Sequence, residues 1–224
     1  MMDDQAHHAP SPTGDGTRER LIKAGLYLFA THGLEGVRTR TLAEKAGANQ
    51  SAIPYYFGGK EGVYAAVIQE IADDLAQTLQ KGGIGTSPPP KSKPRGVDAC
   101  ASELRKIMKG FVLAILSPEA PLERAMLIVR EQLNPTKNFD VLFDRFIGPL
   151  HQTLCRLVAE LQSSGPDDMH VVIQAHALVG QALSFVVAQE AFLRRARLTK
   201  IGHAESEKVA DTLSAMAVAA ALPR

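Results

Sequence analysis

Residues 39–60 constrain the fold more than any other stretch of this chain, because they predict two short helices joined by a turn at Gly47. The first helix spans residues 40–46, and its apolar side chains follow the i, i+1, i+4 spacing of one buried face: Leu42, Ala43 and Ala46. Glycine commonly occupies the left-handed position just after a helix end. This order of helix, turn and helix is the one with which DNA-binding modules place a helix in the major groove.

The second helix is predicted over residues 50–57, barely two turns, so packing must hold it in place. Asn49 is a good N-cap, because its side chain can accept a hydrogen bond from an early backbone N–H. Ile53 and Phe57 lie at the i, i+4 spacing of a buried pair. The remaining positions face outward and suit contacts with base edges, methyl groups and phosphates: Gln50, Ser51, Ala52, Tyr55 and Tyr56.

The segments on either side extend this unit. Residues 17–32 have apolar side chains at helical spacing and end at Gly33, which predicts a supporting helix. After Gly58 and Gly59, a longer apolar stripe begins at Lys60. The free N–H groups at the start of that helix, with Lys60 beside them, favour the binding of a phosphate.

The stretch LFATHGLEGVRTRTLAEKAGANQSAIPYYFGGKEGVY, residues 28–64, has the order helix, glycine, helix, glycine, short helix, aromatic residue and Lys-Glu. In this order and spacing it resembles the TetR-type bacterial transcriptional regulators. The wording IPYYFGGKEGVY, with the later IVREQLNPT, is most similar to the CecR (YbiH) branch. The resemblance implies an all-α protein, with an N-terminal three-helix helix-turn-helix domain joined to a C-terminal helical bundle that dimerises. It also implies a repressor that a small-molecule effector releases from an inverted-repeat operator.

One residue departs from the family pattern. Pro54 stands where most members have a tyrosine that reaches the DNA. A proline about five residues into the recognition helix removes a backbone donor and bends or tightens the last turn. The departure shifts the expected DNA contacts to Tyr55 and Tyr56, although packing of either ring against the preceding helix is an alternative.

The positive charge is concentrated in the same region. The net charge of the chain is +1, yet residues 17–60 contain seven Lys and Arg residues against three Glu. This modest field predicts weak non-specific binding, with specificity resting on a few contacts that a dimer makes twice. Arg40, with Thr39 beside it, is best placed on the first helix to reach a base or phosphate, and Gln50 can pair bidentately with adenine. For individual lysines, ordinary helix solvation is the alternative.

The 224 residues are enough for a DNA-binding unit and a second core. Residues 1–16 are acidic, contain Pro and Gly and have no signal-peptide core, which predicts a disordered tail and a cytoplasmic protein. We find no uninterrupted apolar run of membrane length. Cys100 and Cys155 are far apart among apolar residues, the usual setting of a buried free thiol rather than a disulfide.

Residues 81–96 are rich in Gly and Pro and predict a flexible linker between a helix-turn-helix domain with its connecting helix, residues 17–80, and a helical domain, residues 97–224. Direct contact of this basic segment with DNA is the alternative. The second domain is predicted to contain helices over residues 97–116, 121–134, 138–163, 167–196 and 205–222. Gly148-Pro149 predicts a kink or a split in the third of these.

The last two helices predict a dimer interface. Small side chains form a strip at i+3 and i+4 spacing: Ala177, Gly180, Ser184, Ala188 and Ala191. In the final helix, Leu213 and Ala217 continue an apolar stripe. Two such helices and their copies would form the four-helix interface with which TetR-like proteins dimerise, and a core within one chain is the alternative.

The effector pocket implied by the resemblance should lie in the helical domain. Polar residues set among apolar ones are its candidate lining: Arg130, Glu131, His151, His176 and Gln181. Ordinary surface or ion-pair roles are the alternative for Arg130 and Glu131. The histidines lack metal-ligand spacing, so neither a metal nor a cofactor is expected.

Three classes of function fit a helical protein of this kind. A ligand-responsive repressor agrees with the motif. An enzyme would need a catalytic signature, and we find no nucleophile elbow, phosphate-binding glycine loop or zinc motif. An architectural DNA-binding protein without an effector would be expected to have a stronger positive field. The operator sequence and the effector do not follow from the residues.

Overall fold

The computed structural model describes residues 12–81, 96–118 and 121–222. These residues form eleven α-helices and one π-helical segment, without a strand, so the fold is all α. The helices are α1 (Pro12–Gly36), α2 (Thr39–Ala46), α3 (Ala52–Phe57), α4 (Lys60–Lys81), α5 (Val97–Leu116), α6 (Leu122–Leu133), α7 (Phe139–Leu142), α8 (Gly148–Gln162), α9 (Met169–Val187), α10 (Gln189–Ala196) and α11 (His203–Ala221). The π-helical segment, Phe143–Ile147, lies between α7 and α8.

The chain divides between Ile68 and Gln69 into two compact units. The boundary lies inside α4, so this helix begins in the first unit and ends in the second. The predicted linker lies largely in residues 82–95, outside the described residues, as does most of the predicted tail. α1 begins at Pro12, earlier than the sequence predicts, and proline is well tolerated at the first helical position.

The first unit has its core where α1, α2, α3 and the start of α4 meet. Its largest fully buried side chains are Leu21, Phe29, Leu42, Ile53, Tyr64 and Ile68. The rings of Phe29 and Tyr64 meet edge to face, with centroids 5.1 Å apart. Gly33 interrupts α1 with φ 72° and ψ 173°, which confirms the helix end predicted there.

The second unit is a helical bundle in which α11 packs along α5, and α8 packs against both α5 and α9. Cys100 and Cys155 are buried in this core, as predicted. Cys100 Sγ donates to Glu160 Oε2 at 3.0 Å, and Arg156 pairs with Glu160 and Glu103 at 3.0 Å each. These polar contacts tie α5 to α8 at the edge of the apolar core.

The helix predicted over residues 138–163 is split, as Gly148-Pro149 led us to expect. The π-helical segment precedes the pair, and the N–H of Gly148 bonds the carbonyl of Phe143, five residues back. Pro149 has no N–H to donate to the carbonyl four residues earlier, so it lies in the first turn of α8 and the regular α-helical bonding does not extend backward through it. Phe143 and Phe146 therefore lie in a π-helical rather than an α-helical segment.

The helix predicted over residues 167–196 is also two helices, which was not expected. Ala188 separates α9 from α10 with φ −113° and ψ 29°. α9 is long and apolar enough to span a membrane by length and composition. It nevertheless packs against α5, α6 and α8, and one such helix is what the core of a helical bundle also contains.

Candidate nucleic-acid interface and ligand cavity

The helix-turn-helix is formed by α2, the turn after it and α3. Leu42, Ala43 and Ala46 are buried, which confirms the predicted inner face of α2. Gly47 adopts the left-handed conformation with φ 57°, and its N–H bonds the carbonyls of the last turn. Asn49 is not the N-cap that was predicted, because α3 begins at Ala52 with Ser51 as its N-cap; Asn49 Oδ1 instead accepts the backbone N–H of Ser51 at 3.0 Å within the turn.

Helix α3 begins at Ala52 rather than at residue 50, so Gln50 and Ser51 belong to the turn before it. Pro54 is therefore the third residue of the helix and lies in its first turn, not five residues in as the sequence led us to expect. First-turn N–H groups have no partner within a helix, so proline costs little there. The helix continues through Pro54, whose carbonyl accepts a hydrogen bond from Gly58 at 3.0 Å.

The surface that α2 and α3 present to solvent contains most of the predicted contact residues. Tyr55 is 80% exposed, and its ring meets that of half-buried Tyr56 edge to face at 4.8 Å. Gln50 Nε2 donates to Thr39 Oγ1 at 3.1 Å, which joins the turn to the first residue of α2. Arg40 is exposed and pairs with Glu44 at 2.8 Å.

Three other predicted contact residues are less available for contact with DNA. The hydroxyl of Ser51 donates to Asn49 Oδ1 at 2.9 Å, and Ala52 is half-buried. The Lys60 side chain opens α4 and is only 16% exposed, with Nζ 3.7 Å from the exposed carboxylate of Glu35. Lys60 thus lies beside the helix N-terminus, as predicted, and a phosphate would compete with Glu35 for it.

Three cationic side chains that were not predicted as DNA contacts stabilise the packing of the helices in this unit. Arg20 Nε donates to the carbonyl of Ala46 at 3.1 Å and so satisfies the end of α2. The Arg18 guanidinium lies 5.6 Å from the ring centroid of Phe57, and Lys45 Nζ lies 3.9 Å from that of Tyr27. Part of the local positive charge therefore holds helices together.

The second unit contains a cavity of about 410 Å³. Helices α5 to α9 and the π-helical segment form its walls. The lining is mostly aromatic and aliphatic: Phe111, Ile115, Ala125, Ile128, Phe139, Phe143, Phe146, Ile147, Leu150, Val179 and Leu183, with the polar residues Gln132, His151, Gln152 and His176 and two glycines, Gly148 and Gly180. Its size and composition are those of small-molecule sites in proteins.

Two of the predicted effector residues meet in this cavity. Nδ1 of His176 lies 3.3 Å from Nε2 of His151, although 25 residues separate them. The rings are tilted, with centroids 5.4 Å apart. Burial lowers the pKa of His151, and the neighbouring charge of His176 lowers it further. Both effects favour the neutral imidazole of His151 in the folded protein.

The lowered pKa of His151 predicts a loss of stability in acid. The unfolded state binds the proton more readily than the folded state, so the free energy of unfolding should fall as pH drops through about 6.5, the ordinary value. We expect His151→Gln to reduce this dependence, measured as thermal midpoints from about pH 7.5 to about pH 5. His170→Gln is the matched control, since His170 is exposed, its Nε2 lies 3.3 Å from Ser164 Oγ, and it does not line the cavity. Equal pH slopes for wild type and His151→Gln would contradict the assignment.

The other predicted effector residues lie outside the cavity lining. Glu131 is fully buried, and its carboxylate accepts hydrogen bonds from the N–H and the hydroxyl of Thr136 at 3.0 Å. It thereby holds the turn after α6. Arg130, next to it, is half-buried and has a partner of its own. Gln181 is half-buried on α9, and its Oε1 is buried without a hydrogen-bond partner among the described residues.

The predicted dimer residues fall into two groups. On α9, the strip residues Ala177, Gly180, Ser184 and Ala188 are exposed. On α11, Leu213 and Ala217 are buried within the chain, and this helix packs mainly along α5. Both side chains therefore belong to the core of the single chain, and the dimer interface stays a prediction.

Comparison with known proteins agrees with this architecture. The family model of the bacterial regulatory proteins of the tetR family matches residues 21–67, and that of the C-terminal domain of the HTH-type transcriptional dual regulator CecR matches residues 101–222. The HTH-type transcriptional dual regulator CecR of Shigella flexneri is 30% identical over 201 residues, which are 90% of this chain and 89% of that protein.

Two solved structures share the fold at lower identity. AibR, in complex with isovaleryl coenzyme A and operator DNA, has a TM-score of 0.64 at 15% identity and covers 89% of this chain and 97% of its own. HlyIIR, a hemolysin II transcriptional regulator, has a TM-score of 0.61 at 20% identity and covers 94% of this chain and 99% of its own. Together with the family matches, these findings place the helix-turn-helix and the cavity-bearing bundle in one known architecture. The chain belongs to the TetR family of bacterial transcriptional regulators, in the CecR branch, and is a DNA-binding regulator rather than an enzyme.

Proposed function

We propose that this regulator is a cytoplasmic homodimer that represses transcription from an inverted-repeat operator and leaves it when a small molecule enters the cavity of the bundle. The observation that supports this most directly is the pairing, in one chain, of an exposed helix-turn-helix surface with an apolar cavity of about 410 Å³. The first supplies DNA recognition, and the second supplies a site at which a ligand can act. No cofactor is part of the proposal.

The proposed DNA surface is the exposed side of α2, the turn and α3. Gln50 and Thr39 form one polar pair, which presents an amide and a hydroxyl side by side to a base edge. Tyr55 offers an exposed ring and hydroxyl to a phosphate or a thymine methyl group. The full set of proposed contact residues is Thr39, Arg40, Asn49, Gln50, Ser51, Ala52, Tyr55, Tyr56 and Lys60.

The proposed dimer surface is the exposed strip of α9. Besides its small residues, this helix exposes Ile173 (59%) and Val187 (67%). Exposed apolar side chains flanking a strip of small ones permit two helices to approach closely and bury apolar area. On α11, exposed Met216 replaces the buried stripe as the residue that a second copy can contact.

Ser184→Arg should break the dimer. The substitution places two long side chains with like charges opposite each other across a two-fold interface of small residues. Overpacking and charge repulsion together should cost several kcal/mol of dimer stability. Analytical ultracentrifugation should show a shift from dimer to monomer, with unchanged far-UV circular dichroism. Ser164→Arg, outside this strip, is the control. Gly180 is less suitable, since it also lines the cavity.

A link from the cavity to α4 is the proposed route of release. Arg124 on α6 pairs with Asp74 on α4 at 2.6 Å, and Arg145 in the π-helical segment pairs with Asp73. Each arginine directly precedes a residue that lines the cavity, Ala125 or Phe146. A ligand that moves these walls changes contacts of α4, the helix that begins at Lys60. Such a ligand changes the affinity for DNA only to the extent that it binds the DNA-binding and the released conformations of the protein with different affinities.

The deciding experiment is a footprint on the DNA upstream of the chain's own gene. We expect protection of an inverted repeat whose half-sites are spaced by about 34–36 Å or a multiple, as a two-fold dimer requires. Compounds that raise the thermal midpoint of the protein should then be added to the protected complex. Absence of any discrete footprint would contradict repression by operator binding, and persistence of the footprint with every stabilising compound would contradict release.

A further inference from the structure

Four phenylalanines, contributed by α5, α7 and the π-helical segment, line the cavity. Phe111 of α5 and Phe146 of the π-helical segment have ring centroids 6.2 Å apart, and Phe139 of α7 and Phe143 are also 6.2 Å apart. Both pairs are tilted rather than stacked face to face, at interplanar angles of 43° and 37°. Aromatic rings prefer offset or edge-to-face partners at such separations. The wall therefore favours a flat aromatic ligand over an aliphatic chain of equal size.

The cavity contains no counter-charge for an anion. Among its described lining residues there is no lysine, arginine, aspartate or glutamate. The arginines nearest in sequence to the lining, Arg124 and Arg145, are already paired with carboxylates of α4. His151 has a lowered pKa and so stays neutral near neutral pH. A buried carboxylate or phosphate in this site would lose its hydration without a paired charge, which is costly.

The histidine pair nevertheless supplies two polar contacts whichever way its proton lies. If His176 Nδ1–H donates to His151 Nε2, then His151 keeps an Nδ1–H donor and His176 keeps an Nε2 lone pair. If the direction is reversed, the donor and the acceptor simply exchange residues. In both neutral forms the pair offers one donor and one acceptor. A single hydroxyl or carbonyl on a ligand can use either.

We propose that the cavity binds uncharged, flat aromatic compounds that present a hydroxyl or carbonyl group to the His151–His176 pair. This rests on the proposed ligand-released function, of which it names the ligand class. It distinguishes the site from one built for acidic or phosphate-bearing effectors, because charge selects against those here. The phenylalanines provide the affinity for the rings, and the histidine pair fixes the orientation.

The test compares three fluorescent probes on the full-length protein without DNA: 1-pyrenemethanol, unsubstituted pyrene and 1-pyrenecarboxylate. The chain has no tryptophan, so protein emission does not interfere with them. We expect 1-pyrenemethanol to bind most tightly and the carboxylate to bind at least about tenfold more weakly. Equal or tighter binding of the carboxylate would overturn the proposal, and so would absence of binding by both neutral probes.

Substitutions of lining residues show which side chains contact the bound probes. His176 is exposed, so His176→Leu should leave the fold intact. It should weaken the binding of 1-pyrenemethanol by about three- to tenfold and leave the affinity for pyrene unchanged. Phe143→Leu should weaken both neutral probes, since Phe143 is about half-exposed and lines the cavity. The controls are His170→Leu and Phe192→Leu, which lie outside the lining. Equal effects of control and cavity variants would overturn the assignment.

Failure of this inference and failure of the proposed function give different results. The probe titrations measure the ligand class alone. Operator binding measured with and without saturating 1-pyrenemethanol measures release. If the carboxylate binds and releases DNA, the ligand class is wrong and the function stands. If the alcohol binds in the cavity and leaves operator affinity unchanged, the class stands and release by it is contradicted.

Discussion

Gly62→Ala is expected to unfold the DNA-binding unit. A Cβ at position 62 would lie 1.8 Å from the carbonyl oxygen of Phe57 and 2.8 Å from its carbonyl carbon. Backbone atoms cannot swing aside as a flexible side chain can, so α3 and the start of α4 would have to separate. We expect a loss of more than about 3 kcal/mol in the free energy of unfolding and no measurable operator binding.

The four tyrosines permit a selective measurement of this effect. Tyr27, Tyr55, Tyr56 and Tyr64 all lie in the first unit, and the chain has no tryptophan. Tyrosine emission during urea unfolding therefore follows the DNA-binding unit, while far-UV circular dichroism follows the whole chain. Gly110→Ala is the matched control, because a Cβ there meets nothing within 4 Å. It should stabilise α5 by up to about 1 kcal/mol.

If Gly62→Ala unfolds at the urea concentration of the wild type and binds the operator normally, the close approach of α4 to the end of α3 is not required. The approach matters for recognition because it sets where α3 projects from the unit. A glycine at this position is a packing requirement, since the residue is helical and needs no left-handed backbone.

Tyr55→Ala is expected to produce the largest loss of operator affinity among substitutions that leave the fold intact. The side chain is 80% exposed, so truncation should change stability by no more than about 0.5 kcal/mol. A lost base or phosphate contact costs about 1–3 kcal/mol, and a dimer loses it twice. Fluorescence anisotropy with the footprinted operator should therefore show a loss of about 2–6 kcal/mol in binding free energy.

Two controls separate recognition from packing. Tyr55→Phe keeps the edge-to-face contact with Tyr56 and removes only the hydroxyl, so it distinguishes a polar contact from a ring contact. Leu133→Ala truncates a side chain that is 73% exposed in the other unit and should leave affinity unchanged. Wild-type affinity in Tyr55→Ala would show that α3 does not supply the proposed DNA contacts.

The local structure of the DNA-binding unit could be predicted from the sequence, because each signal involves a few neighbouring residues. Gly33 and Gly47 interrupt or end helices where the backbone takes a positive φ, and Asn49 shapes the turn before α3 by accepting the N–H of Ser51, two residues away. The same locality explains the split at Gly148-Pro149. The start of α3 was displaced by two residues, which moved Pro54 into a turn that tolerates it.

Contacts between distant segments were decided by the tertiary structure. Helical periodicity marks an apolar face and does not say which partner covers it, so Leu213 and Ala217 could not be recognised as buried within the chain. The same limit applies to polar residues. Glu131 accepts a hydrogen bond from the N–H of Thr136 in the turn after α6. By contrast, Nδ1 of His176 and Nε2 of His151, from residues 25 apart in sequence, lie 3.3 Å apart in an aromatic cavity. The DNA-binding motif and most of the helices followed from the sequence, since they depend on local backbone energetics, whereas the break at Ala188 and the starts of α1 and α3 did not. Only the packing of helix on helix decided which faces became core, cavity and open surface, because burial of a face depends on a partner elsewhere in the chain.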